Sequence, residues 1–159
     1  PDALVSRDQF VALAMHTVGL EALEGVTVTG FADDAAIPTW AKGYVSSALK
    51  SGLVQGTVSE AGVVFEGERP ITKAEASVLL DRMLQVTDAS VTTLFPDLDT
   101  TPAWAYQAAV NLETVGVLQT TADGSLGLSD TLTRADAADM LCGALELLEA
   151  REASGWLPW

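Results

Sequence analysis

Three positively charged residues occupy equivalent places in three similar segments of the sequence. Arg7, Lys73 and Arg134 each follow a serine or threonine that is predicted to cap the start of a helix. A cation is mildly unfavourable there, because a helix start already carries partial positive charge. Beside free helix N–H groups, however, it is suited to holding an anion, which predicts a site for an acidic ligand. The alternative is that each cation pairs with one of the 22 acidic residues.

Each of these cations opens a segment with the pattern of a capped amphipathic helix. Thr72 is followed three positions later by Glu75, which is the spacing of a capping box. Behind each cap, apolar residues recur at the spacing of one buried helical face. The positions predicted to be buried are Phe10, Leu13, Ala14, Thr17 and Val18; Ala76, Leu79, Leu80, Met83 and Leu84; and Ala137, Met140, Leu141, Ala144 and Leu145.

A second kind of segment carries tryptophan and occurs twice. Its shared residues are Phe31, Asp33, Pro38 and Trp40 and, 64 residues later, Phe95, Asp97, Pro102 and Trp104. The proline at the start, with Gly52 or Gly116 at the end, predicts a helix in each copy. Both tryptophans lie on apolar helical faces, so core packing and contact with a ligand remain open for each.

The two kinds of segment form a helix-loop-helix unit that recurs along the chain. Such a unit cannot bury its apolar face alone, and stacking copies against one another solves this problem. We therefore predict a single domain over residues 1–159. Its parts are the second half of a first repeat with a connector (1–30), a second repeat (31–87), a third repeat (95–150) and a tail (151–159). The two tryptophans of the tail either cover an exposed face or fray.

The composition argues against several classes of protein. Nearly half of the 159 residues are apolar, which predicts a folded core. The net charge of −14 argues against nucleic-acid binding, because few cations are available to neutralise phosphates. No apolar run reaches the length of about eighteen residues that predicts a membrane span, and no signal peptide is recognisable. Pro1 is not an initiator methionine, so we expect a piece of a longer protein.

The residue types that build catalytic sites are scarce. Cys142 is the only cysteine, and we expect a small buried side chain there rather than a reactive thiol. His16 is the only histidine and has no assigned role. A zinc site or a histidine-containing catalytic pair has almost nothing to be built from. We therefore predict no enzyme activity, no cofactor and no metal.

Two acidic motifs keep a calcium site as a minor alternative. The Asp-Leu-Asp motif at 97–99 and the Asp-Gly-Ser motif at 123–125 are fragments of calcium loops, but neither has the full spacing with a terminal Glu. Asp33 and Asp97 are alternatively expected to cap or turn the chain into the tryptophan helices.

The order of these motifs resembles that of the S-layer homology (SLH) domain. It runs Phe-x-Asp, Trp-Ala, Gly-(Leu or Val)-x-Gln, then (Ile or Leu)-Thr-(Lys or Arg)-Ala-(Glu or Asp)-Ala. The resemblance covers nearly the whole chain as two full repeats and one half repeat. It implies an all-α fold in which the capped helices form a central pseudo-threefold three-helix bundle. The tryptophan helices and loops, with possible short strands, are then expected to form outer lobes.

The resemblance also implies non-covalent anchoring of a larger surface protein to a bacterial cell-wall polysaccharide that carries pyruvate ketals. The family's ligand-binding positions, in grooves between adjacent repeats, correspond here to Arg7, Lys73, Arg134, Trp40, Trp104, Gly52 and Gly116. A cation and helix N–H groups suit the ketal carboxylate, and an aromatic face suits a sugar ring. Glycine permits close approach of the backbone.

The resulting prediction is a non-enzymatic, extracellular module at the cell wall or cell surface. We expect it to be part of a longer cargo protein, to bind no nucleic acid and not to insert into a membrane. Thr120 stands where the other copy has Gly56, and the first repeat lacks a tryptophan helix, so at most two grooves are complete. The alternative is a degenerate SLH-like module for structure or protein–protein interaction without glycan binding. An enzyme fragment is the third hypothesis.

Overall fold

The computed structural model describes residues 1–155 and is largely helical. Its helices are α1 (Arg7–Thr17), α2 (Thr39–Lys50), α3 (Lys73–Leu84), α4 (Ala103–Thr114) and α5 (Arg134–Ala153). Short 3₁₀ turns at Asp34–Ala36 and Leu98–Thr100 precede α2 and α4. Strands β1 (Thr57–Ser59) and β2 (Gly62–Val64) form an antiparallel hairpin in which Val58 pairs with Val63.

Capping boxes begin helices α1, α3 and α5, as the sequence predicts. The cap side chains of Ser6, Thr72 and Thr133 accept hydrogen bonds from the backbone N–H three residues later. The side chain at that third position accepts a bond from the N–H of the cap residue in return. In α3 this return bond runs from the Thr72 N–H to Glu75 Oε2 over 3.0 Å. The reciprocal bonds satisfy two otherwise orphaned donors at each helix start.

The residues just before the three caps form a closed ring of backbone hydrogen bonds. The Val5 N–H donates to the Leu132 carbonyl at 3.0 Å, the Leu132 N–H to the Ile71 carbonyl at 2.8 Å, and the Ile71 N–H to the Val5 carbonyl at 3.0 Å. All three side chains are buried. This ring fixes the starts of α1, α3 and α5 next to one another, although they are far apart in the sequence.

The first N–H groups of these helices bond to carbonyls of other segments. In α1 the N–H groups of Arg7 and Asp8 donate to the carbonyls of Arg69 and Gly67, at 2.9 and 3.0 Å. The corresponding bonds at α3 and α5 run from Lys73 to Asp130, Ala74 to Leu128, Arg134 to Ala3 and Ala135 to Pro1. Together with the capping boxes, these bonds use all four donors that a helix start normally leaves unpaired.

Most of the predicted helical stripes lie in the core. Phe10, Ala14, Ala76, Leu79, Leu80, Leu84, Ala137, Met140 and Ala144 are buried. Leu13 and Leu145 are 49% and 44% exposed, so their predicted burial is wrong. The buried face of α1 instead includes Val11, Ala12 and Met15, which lie outside the predicted stripe. Cys142 is also exposed, which corrects the expectation of a buried thiol, because its side of α5 faces away from the core.

Helices α2 and α4 follow a proline and end at a glycine, as predicted. At the end of α2, the Leu53 N–H donates to the Ala48 carbonyl at 2.9 Å, and Gly52 adopts a φ of +70°. At the end of α4, the Val117 N–H makes the matching bond to the Leu112 carbonyl at 2.8 Å. This bonding pattern satisfies the last carbonyls of the helix and needs a left-handed residue, which glycine adopts without steric cost.

Asp33 and Asp97 lie in the turns that lead to α2 and α4, but their side chains do not cap the 3₁₀ turns that follow, so the capping alternative is wrong. Asp33 instead accepts the N–H groups of Phe65 and Glu66 at 2.8 and 2.7 Å. Asp97 accepts those of Leu126 and Gly127 at 3.0 and 2.8 Å (the latter bond reaching the segment that leads to α5). Each aspartate therefore fixes the loop that carries the chain towards the next capped helix.

A buried asparagine joins α3 to α4. Asn111 has no exposed surface; its Nδ2 donates to Asp81 and Asp88, both at 3.1 Å. Its Oδ1 accepts the N–H of Ala89 at 2.9 Å and the side chain of Gln107 at the same distance. These bonds hold the connector between the two helices against α4, which buries polar groups without leaving them unpaired.

The helices and the two-stranded hairpin agree with the predicted helical class and its short strands. The central three-helix bundle, its pseudo-threefold symmetry and the division into repeats stay predictions. Within residues 1–155, no helix is both long and apolar enough to cross a membrane. Residues 156–159, on which the tail prediction depends, lie outside the described part.

The loop-fixing role of Asp97 predicts a large loss of stability in Asp97→Ala. Two backbone N–H groups lose a charged acceptor, and each such bond is worth about 1.5–3 kcal/mol. We expect the free energy of unfolding, measured by urea denaturation, to fall by about 3 kcal/mol. Asp99→Ala removes an exposed acid two residues away, for which we expect a change within about 0.5 kcal/mol. Equal effects of the two substitutions would contradict the assignment.

Candidate ligand-binding grooves

A groove between α1 and α3, called the first groove, combines residues from distant parts of the sequence. Its lining residues are Arg7, Val11, Leu53, Val54, Gln55, Thr57, Ile71, Glu75, Val78, Leu79, Arg82 and Trp104, around a cavity of about 220 Å³. Two of the predicted ligand-binding residues, Arg7 and Trp104, are therefore brought together. Trp104 is 64% exposed, which rules out core packing for this side chain.

Arg7 is held tightly in the first groove. Its Nη1 donates to Glu75 Oε1 at 3.1 Å, and its Nη2 donates to the Gln55 carbonyl at 2.8 Å. The guanidinium also lies over the Phe65 ring, 5.0 Å from its centroid, in the geometry of a cation–π contact. The side chain is 14% exposed, and burial lowers the pKa of Arg7 although the charge of Glu75 acts in the opposite direction.

Glu75 is the acid on which this end of the groove depends. Besides Arg7, it accepts two hydrogen bonds from Arg69, at 3.0 and 2.7 Å. Burial raises the pKa of Glu75, but the bonds from Arg69 and Thr72 and the two arginine charges outweigh it and lower the pKa from 4.5 to about 2. The carboxyl group is therefore ionised at neutral pH and neutralises part of the positive charge of Arg7.

Another, larger groove lies between α1, α2 and α5. It is called the third groove because it contains Arg134, the third of the predicted cations. Its lining residues are Ala3, Leu4, Val5, Gln9, Ala12, Leu13, His16, Trp40, Tyr44, Arg134, Ala137, Ala138 and Leu141, around a volume of about 810 Å³. It again joins a predicted cation to a predicted tryptophan. Trp40 is 53% exposed, so core packing is also wrong for this residue.

The cation of the third groove differs from Arg7 in its surroundings. Arg134 is exposed and, within residues 1–155, has no carboxylate within 4.0 Å. The residue equivalent to Glu75 in α1 is Gln9, which is neutral. The alternative interpretation, in which each cation pairs with an acid of the chain, therefore describes Arg7 but not Arg134.

Lys73 lines a small second groove with Val117, Leu118, Gln119, Asp136, Asp139 and Met140, around about 40 Å³. No carboxylate of the described residues lies within 4.0 Å of it, but two acids line the same groove and no tryptophan does. This groove is therefore the narrowest of the three and the least suited to an anion.

Gly52 and Gly116 do not line the first, second or third groove. Their positive φ angles of +70° and +79° belong to the ends of α2 and α4. The residues that follow them do line grooves: Gln55 after Gly52, and Gln119 after Gly116. The contribution of the two glycines to a ligand site stays a prediction, and the structure gives them a local role in ending the helices.

Side chains, rather than helix N–H groups, must supply the polar contacts of these grooves. The sequence predicted free N–H groups beside each cation, and this is wrong because carbonyls and caps occupy them. Sequence reasoning also missed Glu75 and Arg82 as groove residues. Both lie on the side of α3 that faces Arg7. They are seven residues apart, which is about two helical turns, and this spacing could have indicated that they share a face.

The acidic motifs contain no metal cluster that the described residues reveal. No group of three or more His, Cys, Asp or Glu side chains within residues 1–155 is arranged to hold an ion. Asp123 accepts hydrogen bonds from the Thr121 hydroxyl and the Ser125 N–H, and these bonds lower its pKa. The carboxylate therefore stabilises its own loop.

Comparison with known proteins identifies the central part of the chain. Residues 30–77 match the S-layer homology domain, as the motif order predicts. An amylopullulanase of Thermoanaerobacterium thermosulfurigenes is 31% identical to this chain over 88 residues, which are 54% of the chain and 5% of the enzyme. Exoglucanase XynX of Acetivibrio thermocellus is 30% identical over 88 residues, or 54% of the chain and 8% of the enzyme.

The family match covers residues 30–77, and the chain spans less than a tenth of the length of either relative. Domains of this family are generally cell-wall anchoring modules of surface proteins, and the domain itself is not catalytic. The family match covers 48 residues and the matches to the relatives cover 88, and the number of repeats stays a prediction.

The pKa of Glu75 predicts an acid-sensitive stability that depends on this residue. The folded-state pKa of about 2 lies below the ordinary value of 4.5, so the unfolded chain takes up the proton more readily. The stability that Glu75 contributes is therefore complete above pH 4.5 and is lost as the pH falls towards 2. We expect Glu75→Gln to be less stable than the parent at pH 7 and the difference to shrink over this range.

Urea denaturation at several pH values measures this difference. Glu60→Gln, which removes an exposed carboxyl group at the hairpin turn, is the matched control and should leave the pH dependence unchanged. A Glu75→Gln protein with the same acid sensitivity as the parent would show that the ion pairs of Glu75 contribute little.

Proposed function

We propose that this chain anchors a larger protein, without a covalent bond, to a bacterial cell-wall polysaccharide that carries pyruvate ketals. The first and third grooves are the proposed binding sites. The observation that carries the proposal is the pairing of a cation with an exposed tryptophan in both: Arg7 with Trp104, and Arg134 with Trp40. The members of each pair come from opposite ends of the chain and meet only in the fold.

The chemistry of each pair suits an acidic sugar. A guanidinium binds a carboxylate through charge-assisted hydrogen bonds, and the exposed indole offers a flat apolar face to a sugar ring. Large aromatic side chains are usually mostly buried in a folded protein, and exposed ones are typical of binding surfaces. Two such grooves on one polymer would add avidity to modest single-site affinities.

Arg134 is the proposed main contact for the ketal carboxylate. It lacks the acid that neutralises Arg7, and Gln9 in the same groove adds no charge. Lys73 keeps its predicted role as a weaker contact, because two acids and a narrow groove oppose an incoming anion. The net charge of −14 repels an acidic polymer at a distance, but salt screens this repulsion beyond about 10 Å.

The finer predictions on architecture belong to the same proposal. We propose that the hydrogen-bonded ring before the caps is the centre of a pseudo-threefold bundle of α1, α3 and α5. Residues 31–87 and 95–150 then form two full repeats, and 1–30 form the second half of another. Matching bonds at three helix starts support this arrangement. A location at the outer cell surface, as part of a longer cargo protein, follows from the same function.

The Arg7–Glu75 ion pair favours a second candidate function. A cation held by the chain's own acid is what a structural or protein-interaction module needs, and partly buried ion pairs commonly serve the fold alone. In that case the grooves hold no glycan. Binding to cell walls separates the two candidates, since only the anchoring module needs pyruvate ketals.

Trp104→Ala and Trp40→Ala test the grooves with little risk to the fold, because both indoles are more than half exposed. We expect each substitution to weaken binding to purified, pyruvylated cell wall about tenfold, measured by co-sedimentation, which is equivalent to ~1.4 kcal/mol. Leu94→Ala removes an apolar side chain that is 83% exposed outside the grooves and should leave binding unchanged. Unchanged binding in both tryptophan variants would contradict the proposed sites.

Arg134→Ala tests the proposed carboxylate contact. We expect Arg134→Ala to lose more wall binding than Lys73→Ala. Removing the pyruvate ketals from the wall should not weaken the binding of Arg134→Ala any further. Lys50→Ala, an exposed charge change at the end of α2, controls for net charge. If stripped and intact walls bind the parent protein equally, the polymer is not recognised through its ketals and the interaction module is favoured.

A further inference from the structure

The first groove contains a second guanidinium group that the proposed function has not used. Arg82 of α3 lines this groove, and its Nη1 donates to the Leu53 carbonyl at 3.2 Å. Within residues 1–155 no carboxylate lies within 4.0 Å of it. The side chain is exposed, so its remaining N–H groups are accessible from solvent.

One short segment holds both guanidinium groups of the groove. Arg7 donates to the Gln55 carbonyl at 2.8 Å, and Arg82 donates to the carbonyl of Leu53. Residues two apart in a chain are separated by at most about 7 Å, so the two backbone carbonyls that bind these side chains belong to one short stretch of the groove wall. The two arginine side chains are already ordered in part, which lowers the entropic cost of binding a ligand.

This arrangement occurs in one groove only. Arg82 stands nine residues after the first helical residue of α3; the same position is His16 in α1 and Gly143 in α5. His16 lines the third groove. At Gly143 a Cβ would lie 2.9 Å from the Gly116 carbonyl oxygen, so the second groove has no room there for any side chain. The three grooves therefore differ at this position in charge and in size.

We propose that Arg82 is a second anion-binding residue of the first groove, which therefore takes an acidic oligosaccharide with acid groups on two neighbouring sugar units. The inference rests on the proposed function and specifies its ligand. Arg7 is partly neutralised by Glu75, so Arg82 supplies the positive charge that the groove otherwise lacks. One acid group contacts Arg82, the other contacts the exposed part of the Arg7 guanidinium, whose Nε is buried, and the exposed face of Trp104 lies in the same groove.

The test compares two synthetic ligands by isothermal titration calorimetry. One is a monosaccharide with a single pyruvate ketal, and the other is a disaccharide with a ketal on each unit. We expect Arg82→Ala to weaken disaccharide binding about tenfold and to make it less dependent on salt. Monosaccharide binding should change less than twofold, because the third groove still binds it. Arg82→Lys should restore part of the affinity, and Lys50→Ala should bind both ligands like the parent.

The outcomes separate this inference from the proposed function. If the parent binds the disaccharide and Arg82→Ala binds it equally well, Arg82 is not a ligand contact and only the inference is overturned. If Arg82→Ala weakens the binding of both ligands to the same extent, Arg82 does not recognise the second acid group, and the inference is again overturned. If the parent binds neither ligand, the proposed function fails and the inference fails with it.

Discussion

The three hydrogen bonds among Val5, Ile71 and Leu132 are the constraint on which the rest of the molecule depends. Each residue both donates to and accepts from another member of the ring, and all three side chains are buried. A buried peptide group without a partner is costly, so removing one segment would leave donors and acceptors of the other two unpaired. The ring therefore links three distant segments into one cooperative unit and fixes the helix that follows each of them.

The same constraint decides what the helix starts can do. Viewed in the sequence alone, a capped helix with a cation after the cap is an open anion site, because its first N–H groups have no visible acceptor. In the fold, carbonyls from one other segment, together with the cap residue, occupy those groups. The acceptors lie far away in the sequence, at Arg69 and Gly67 for α1, and no local pattern marks them. The cationic side chains remain, but they must bind a ligand through their own N–H groups.

Local rules predicted the elements well, and contacts between elements account for the errors. The caps, the proline and glycine boundaries of α2 and α4 and most buried positions follow from propensity and spacing over a few residues. The roles of Asp33 and Asn111 depend on backbone groups that only the fold brings near. Leu13 was expected inside because its spacing fits an apolar stripe, but the face that the fold covers is shifted towards Val11 and Met15. Cys142 was expected inside because of its residue type, which does not determine the side of α5 that meets the core.

The candidate site was likewise predicted in part from the sequence and depends in part on the fold. The types of residue, a cation and a tryptophan, were visible in the motifs, whereas the pairing of Arg7 with Trp104 and of Arg134 with Trp40 is a property of the fold. The acid that neutralises Arg7 was seen only as part of a capping box. Glu75 in fact serves the cap and the ion pairs at once, since its two oxygens can accept several bonds.

A shared backbone frame with different side chains explains how the three grooves can differ in function. The ring and caps set the starts of α1, α3 and α5 by equivalent bonds, so equivalent positions in these helices face the grooves. At the third helical position they carry Gln9, Glu75 and Asp136, and seven positions further they carry His16, Arg82 and Gly143. Substitutions at the later position change the charge and width of a groove without touching the ring or the caps, whereas the side chain at the third position also takes part in the capping box. One groove can therefore bind an acidic ligand more tightly while another loses its affinity for that ligand.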